Sequence, residues 1–195
     1  MLPKLQRPII YLITSGRTSP DSSPASEDFQ NILGLVRSAV EARVSLIQLR
    51  EKSLPARTLY ELTGRCAAIT EGTATRLLVN DRADIARAAR ADGVHLTTHS
   101  IDPSVIRRAF GAQFLIGVST HSLAEAQKAR DGAADFAVFG PVFDTESKRA
   151  YGPPVGLERL REAAETLSPF PLVALGGVTL GNAAAALRAG ASGVA

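Results

Sequence analysis

The sequence predicts an α/β fold, a (β/α)8 TIM barrel, and three observations predict it. Short apolar runs, each followed by a polar loop and an alanine-rich amphipathic stretch, recur along the 195 residues. The runs are continuous rather than alternating, as strands buried on both faces of a parallel sheet are. Polar residues follow nearly every run, whereas an open doubly wound sheet, the competing architecture, gathers its site at one crevice.

Residues 9–13 make the first strand. Residues 14–26 follow with five Ser and two Pro and no apolar residue except Ala25, which predicts a mobile surface loop. Residues 29–42 place Ile32, Leu33, Val36, Ala39 and Val40 on one helical face. Strand two is 46–49, and 55–71 forms the next helix, with Leu59, Leu62, Cys66 and Ile69 inward. Strands three to five are 77–79, 94–96 and 115–118, and Ser122-Leu-Ala-Glu125 is a capping box that opens a helix. Strand six is 136–139. The seventeen residues 140–156 that follow, with three Pro and two basic groups, suit a lid or binding loop. Strand seven is 172–175, and an eighth begins at Gly193, with Ala195 inside it, so the barrel reads as truncated in its eighth strand. Echoed turns, Ala91-Asp-Gly-Val, Ala133-Ala-Asp-Phe and Gly190-Ala-Ser-Gly-Val, mark equivalent stacked units.

Length and composition bound the function. The length suits one domain, 1–195, and 45% hydrophobic residues with a mean hydropathy of +0.07 supply a core. No run is long enough to span a membrane, and the first residues lack a signal-peptide pattern, so a soluble cytoplasmic protein is expected. The single Cys66 excludes a disulfide framework and a cysteine zinc site. A net charge of +3 and a pI near 9.3 invite a nucleic-acid reading. The basic residues are nevertheless dispersed among 19 acids, and aromatics reach only 5%, so stacking platforms are scarce. A phosphorylated small molecule suits the excess charge better. The composition is compatible with a homo-oligomer.

Several residues at strand ends could carry chemistry. In Gln48-Leu-Arg-Glu-Lys52, Arg50 offers a planar fork and Lys52 a movable charge for phosphate oxygens, and a solvated charged loop reads equally well. Asn80-Asp81 could present a Mg²⁺ carboxylate or cap the next helix. Asp84 reads as a helix cap, and Asp92 lies before its strand, at the opposite end from the site. His121, after Ser119, could act as an acid or base near neutral pH. His95 reads as packed inside the barrel, and His99 has no metal partner. Thr145, Ser147 and Lys148 supply two hydroxyls and a cation, and Gly176-Gly177 would let backbone N–H groups approach an anion. No Walker or GxGxxG motif is present.

Taken in order, these motifs resemble the thiamin phosphate synthase/TenI family: Tyr11-Leu-Ile-Thr14, Gln48 to Lys52, Asn80-Asp-Arg82, Ala91 to Leu96, Gly117-Val-Ser-Thr-His-Ser122, Phe139-Gly-Pro-Val-Phe143, Thr145-x-Ser-Lys148 and Ala174-Leu-Gly-Gly177. The resemblance implies a cytoplasmic barrel enzyme of thiamine biosynthesis, a transferase. It would join 4-amino-2-methyl-5-pyrimidinylmethyl diphosphate to thiazole phosphate and release pyrophosphate. It implies that Gln48, Arg50, Lys52, Asn80 and Ser119 hold the pyrimidine diphosphate, and that Asp81 holds Mg²⁺. Thr145, Ser147 and Gly177 would bind the thiazole phosphate, and Lys148 would neutralise the diphosphate. Catalytic roles fall to Lys52, Lys148 and His121.

The sequence also departs from that pattern. Ser100, in Thr97-Thr-His-Ser100, stands where the synthase pattern has a second Mg²⁺ carboxylate, and Asp102 is the nearby substitute. The other branch, thiazole tautomerase, lacks that carboxylate, uses the histidine corresponding to His121 and needs no metal. A third reading is a non-catalytic barrel that binds phosphate ligands. The family's eighth strand runs on into a Val-Ser pair that binds phosphate and a final helix, both beyond Ala195.

Overall fold

Hydrogen bonding joins the eight strands in sequence order, β1 to β8, and β1 pairs with β8, closing a parallel barrel and excluding the open sheet. The structure is a computed structural model, and it describes residues 7–145 and 154–195. The elements are β1 (Ile9–Ile13), α1 (Glu27–Glu41), β2 (Leu46–Leu49), α2 (Ala56–Thr70), β3 (Arg76–Asn80), α3 (Ala83–Ala88), β4 (Gly93–Leu96), α4 (Pro103–Phe110), β5 (Leu115–Thr120), α5 (Leu123–Asp131), β6 (Phe136–Phe139), α6 (Gly156–Leu167), β7 (Leu172–Ala174), α7 (Ala183–Arg188) and β8 (Gly193–Val194). Each predicted run is a strand. β3 and β5 extend beyond their apolar stretches because Asn80, Ser119 and Thr120 continue the ladder as polar residues.

The chain divides into two compact units. The first comprises 11–95 with 112–115. In it α1 buries Phe29, Ile32, Leu33, Val36 and Ala39, and α2 buries Leu59, Leu62, Cys66 and Ala67. These residues recur at three- and four-residue spacing, the stripe a helix needs to cover a sheet. The second unit comprises the described residues among 7–10, 96–111 and 116–195. Its core gathers Phe139, Val142, Leu160, Leu167 and Leu172 with a run of alanines from α5, α6 and α7. Small side chains let those helices lie close to the strands.

The predicted capping box forms in half at α5, with the Glu125 carboxylate reaching one residue beyond the N-cap. Ser122 Oγ accepts from the Glu125 N–H at 3.2 Å, and the Glu125 carboxylate accepts from the His121 N–H at 2.6 Å. Asp102 caps α4 by accepting from the Ser104 N–H at 2.9 Å.

The loop over 14–26 is exposed over most of its length, as expected, but it is anchored at three points. Thr14, Thr18 and Ser22 are buried, and the first part of the loop is hydrogen-bonded to the Glu51 carboxylate. A segment without apolar residues reads as solvent-loving, yet here its hydroxyls and N–H groups converge on a buried charge. The ends of the 140–156 loop are also tied down. The Val142 N–H donates to Leu175, that of Phe143 to Gly176, and that of Val155 to Pro141. The lid expected from this loop turns on residues 146–153, outside the described residues.

Candidate active site

In the first unit, four polar side chains lie on one shared face of β1 to β4. The Tyr11 hydroxyl donates to Gln48 Oε1 at 3.1 Å, and Gln48 Nε2 donates to Asn80 Oδ1 at 2.9 Å. His95 Nδ1 lies 3.1 Å from the same Tyr11 oxygen. Tyr11 has one proton, so with that proton on Gln48 the His95 Nδ1–H is the donor of its own bond, which selects a tautomer. All four residues are buried. Burial pushes the His95 pKa down from its ordinary 6.5 to about 3 and the Tyr11 pKa well up, so both stay neutral at physiological pH. The period of two places them there: Asn80 and His95 are register partners on adjacent strands.

Arg50 and Lys52 follow β2 directly. Arg50 is half-buried, with its N–H bonded to Thr14 Oγ1 at 2.9 Å, and Lys52 is exposed. Glu51 between them is buried. Its two oxygens accept from the Thr14 hydroxyl, the Gly16 N–H, the Thr18 N–H and the Thr18 hydroxyl.

Asp81 has a positive φ of 59°, held by its N–H donating to the His95 carbonyl at 2.9 Å. Neither Asn80 nor Asp81 caps α3: the Asn80 oxygen is taken by Gln48, and no side chain caps that helix. Asp84 is not the N-cap residue, which is Arg82. It sits in the first turn of α3, bonded to Arg82 at 2.7 and 2.9 Å, and this pairing lowers its pKa. Asp92 lies before β4 and accepts from the Leu77 N–H at 2.8 Å, at the end opposite Asn80.

In the second unit, Ser119 lies within β5, in register with Val138 of β6. His121 follows the strand, and its Nδ1 bonds the Gly140 carbonyl. Thr145 is half-buried in the loop after β6. Gly177 follows β7 with φ 62°, and a Cβ there would lie 2.4 Å from the Asp144 carbonyl oxygen. Glycine is therefore required at this position by the loop packed on it, whatever it also binds. Ser147 and Lys148 lie outside the described residues.

The metal question turns on the donors. Among the described residues no three His, Cys, Asp or Glu side chains gather as a cage. Ser100 is occupied in its own turn, accepting from the Thr97 N–H at 2.7 Å, and Asp102 is committed to the α4 cap. Asp81 remains as an exposed carboxylate. Mg²⁺ keeps waters and takes one or two carboxylates together with substrate phosphates. This donor set fits a Mg²⁺ that shares phosphate oxygens, and it does not fit an all-protein cage.

Of the candidates expected from the sequence, Gln48 and Asn80 are bonded to each other, and Arg50 and Lys52 follow Gln48 in the chain. Tyr11 and Glu51 are not among those candidates, and His95 is expected only to pack inside the barrel, whereas all three are hydrogen-bonded in this network or next to it. A signal existed: Tyr11, Gln48, Asn80 and His95 are polar residues on four successive strands whose other positions are mostly apolar.

Comparison with known proteins bears on the chain as a whole. A Geobacter sulfurreducens protein is 46% identical over 166 residues, 85% of this chain and 78% of its own length. The thiamine-phosphate synthase of a Roseiflexus species is 38% identical over 187 residues, covering 96% of this chain and 75% of that one. The solved structure of a thiamine phosphate pyrophosphorylase from Pyrococcus furiosus superposes with a TM-score of 0.79 at 32% identity, over 95% of this chain and 83% of that one. The match to the family described as thiamine monophosphate synthase runs over residues 11–195, and the chain belongs to that family.

Proposed function

We propose that this protein is a thiamine-phosphate synthase, a cytoplasmic transferase that joins a pyrimidinylmethyl diphosphate to a thiazole phosphate and releases pyrophosphate. Residues 1–195 act in it as one catalytic domain. The observation that carries the reading is the buried Gln48–Asn80 amide pair, with Arg50 and Lys52 following Gln48 in the chain. Paired amides suit a heterocycle with both donors and acceptors, and adjacent cations suit its diphosphate.

The chemistry follows from charge. When the methylene carbon–oxygen bond breaks, its electron pair leaves with the diphosphate, and the pyrimidinylmethyl group becomes cationic. The thiazole nitrogen then supplies the pair that forms the new carbon–nitrogen bond. Arg50 and Lys52 bind the diphosphate oxygens and stabilise the charge that grows there, as Lys148 would from the long loop. Gln48, Asn80 and Ser119 orient the pyrimidine. Thr145, Ser147 and the backbone at Gly177 hold the thiazole phosphate. Asp81 would hold Mg²⁺, which supplies charge neutralisation on the diphosphate when bound.

One observation favours a second reading, thiazole tautomerase. With His121 Nδ1 donating to the Gly140 carbonyl, its Nε2 is left as the basic nitrogen. The two readings part in one assay. Purified protein is given both substrates, with and without Mg²⁺, and pyrophosphate is measured. Release that needs both substrates and falls in Asp81→Ala supports the synthase. Conversion of a thiazole phosphate isomer alone, abolished by His121→Ala and indifferent to Asp81→Ala, replaces it with the tautomerase. No turnover, but a raised Tm with phosphate ligands, leaves a binding barrel.

A further inference from the structure

We propose that Glu51 is a positioning residue for the diphosphate site: its buried carboxylate folds the β1–α1 loop against Arg50 and so sets the guanidinium in place. The inference rests on the reading that Arg50 binds the diphosphate. Glu51 is only 3% exposed although it lies in a charged run between Arg50 and Lys52, where a carboxylate would ordinarily be solvated. Its oxygens accept four hydrogen bonds, all from residues 14–18: the Thr14 hydroxyl, the Gly16 N–H at 3.2 Å, and the Thr18 N–H and hydroxyl at 3.3 and 2.8 Å.

The same loop returns to Arg50. The Thr14 hydroxyl that donates to Glu51 accepts from the Arg50 N–H at 2.9 Å, and the Thr14 N–H donates to the Gln48 carbonyl at 3.0 Å. Gly16, with φ 69°, lies so near that a Cβ would be 2.9 Å from the Arg50 carbonyl oxygen and 3.6 Å from an Arg50 guanidinium nitrogen. One carboxylate therefore organises a loop that touches both the backbone and the side chain of Arg50. A fully accepted, buried anion has one geometry, so the loop and Arg50 inherit it.

The test uses the conservative substitution Glu51→Gln, which keeps the shape but replaces one acceptor oxygen by a donor facing the loop's N–H and hydroxyl donors. Thr18→Val, which removes one hydroxyl and leaves the carboxylate, is the milder companion. Both are assayed for coupling well below their measured Tm. Glu51→Gln is expected to raise KM for the pyrimidine diphosphate about tenfold, the scale of losing a hydrogen bond to a charged group. Thr18→Val should raise it less, and KM for thiazole phosphate should stay within about twofold in both. In an Arg50→Ala background the Glu51→Gln effect should vanish, because the residue acts through Arg50.

Additive effects of the two substitutions, or a lowered Tm with both KM values unchanged, would overturn the positioning role while leaving the synthase reading intact. A wild-type diphosphate KM in Arg50→Ala alone would overturn the assignment on which it rests.

Discussion

At the scale of the residue, charge and burial decide what each site group does. Lys52 and, in the long loop, Lys148 are proposed to bind the diphosphate and to meet the further negative charge that grows on it as it departs, so their loss should appear in kcat, whatever it also does to KM. Lys52→Ala or Lys148→Ala is expected to lower kcat by about two to three orders of magnitude, about 2.7 to 4 kcal/mol, the scale of removing one transition-state donor. A change confined to KM would make either lysine a binding group only. His95 makes a different prediction. Burial holds its folded pKa at about 3, against an ordinary 6.5. Between those values the unfolded chain binds a proton that the folded chain refuses. The stability is therefore whole above about pH 6.5 and falls as the pH drops toward 3, by up to about 1.4 kcal/mol per pH unit. Urea unfolding of wild type and His95→Gln from pH 7 to pH 4 should show the two curves converging as the pH falls. Parallel curves would mean that the imidazole titrates normally.

Among the elements, the echoed turns read from the sequence have an identifiable cause. Asp92 and Asp135 occupy equivalent places before β4 and β6, and each accepts an N–H at the start of the preceding strand, from Leu77 at 2.8 Å and Ile116 at 2.7 Å. Each is also paired with an arginine, Arg76 at 3.3 Å and Arg107 at 2.7 Å. Burial pushes the Asp135 pKa up, and the Ile116 N–H and Arg107 pull it back. Asp135→Ala strands a strand N–H, so it should cost about 2 kcal/mol. Ser122→Ala, which removes only the α5 cap, should cost about 1 kcal/mol. Asp131→Ala, which breaks an exposed pair with the neighbouring Arg130, should stay within about 0.5 kcal/mol. Urea midpoints rank the three, and an Asp135→Ala protein as stable as Asp131→Ala would show that the N–H finds another acceptor.

For the molecule as a whole, the architecture was legible because its signal is apolar and periodic. Every strand announced itself as a short hydrophobic run, and α1 and α2 showed their buried stripes. Part of the candidate site was legible for the opposite reason, since Gln48 and Asn80 are polar residues on mostly apolar strands. Glu51 was not, because a carboxylate between two cations looks solvated until a distant loop is seen to close on it. Nor was the order in that loop, whose burial rests on hydrogen bonds rather than apolar area.

Gly93 and Gly193 stand at the same place in the echoed turns, Asp92-Gly93-Val94 and Ser192-Gly193-Val194. A Cβ on Gly93 would lie 2.0 Å from the Leu115 carbonyl oxygen, and one on Gly193 would lie 2.1 Å from that of Ile9. Backbone cannot yield as a flexible side chain can, so the strands must part. Gly34, inside α1, has nothing within 4 Å of its added carbon. Gly34→Ala should therefore stabilise by about 0.5 to 1 kcal/mol, the helix-propensity difference. Gly93→Ala should destabilise by about 1 to 3 kcal/mol or more, the cost of overpacking. The same methyl group should thus move Tm in opposite directions at the two sites. If Gly93→Ala were neutral, close strand approach would not be what requires glycine at this position.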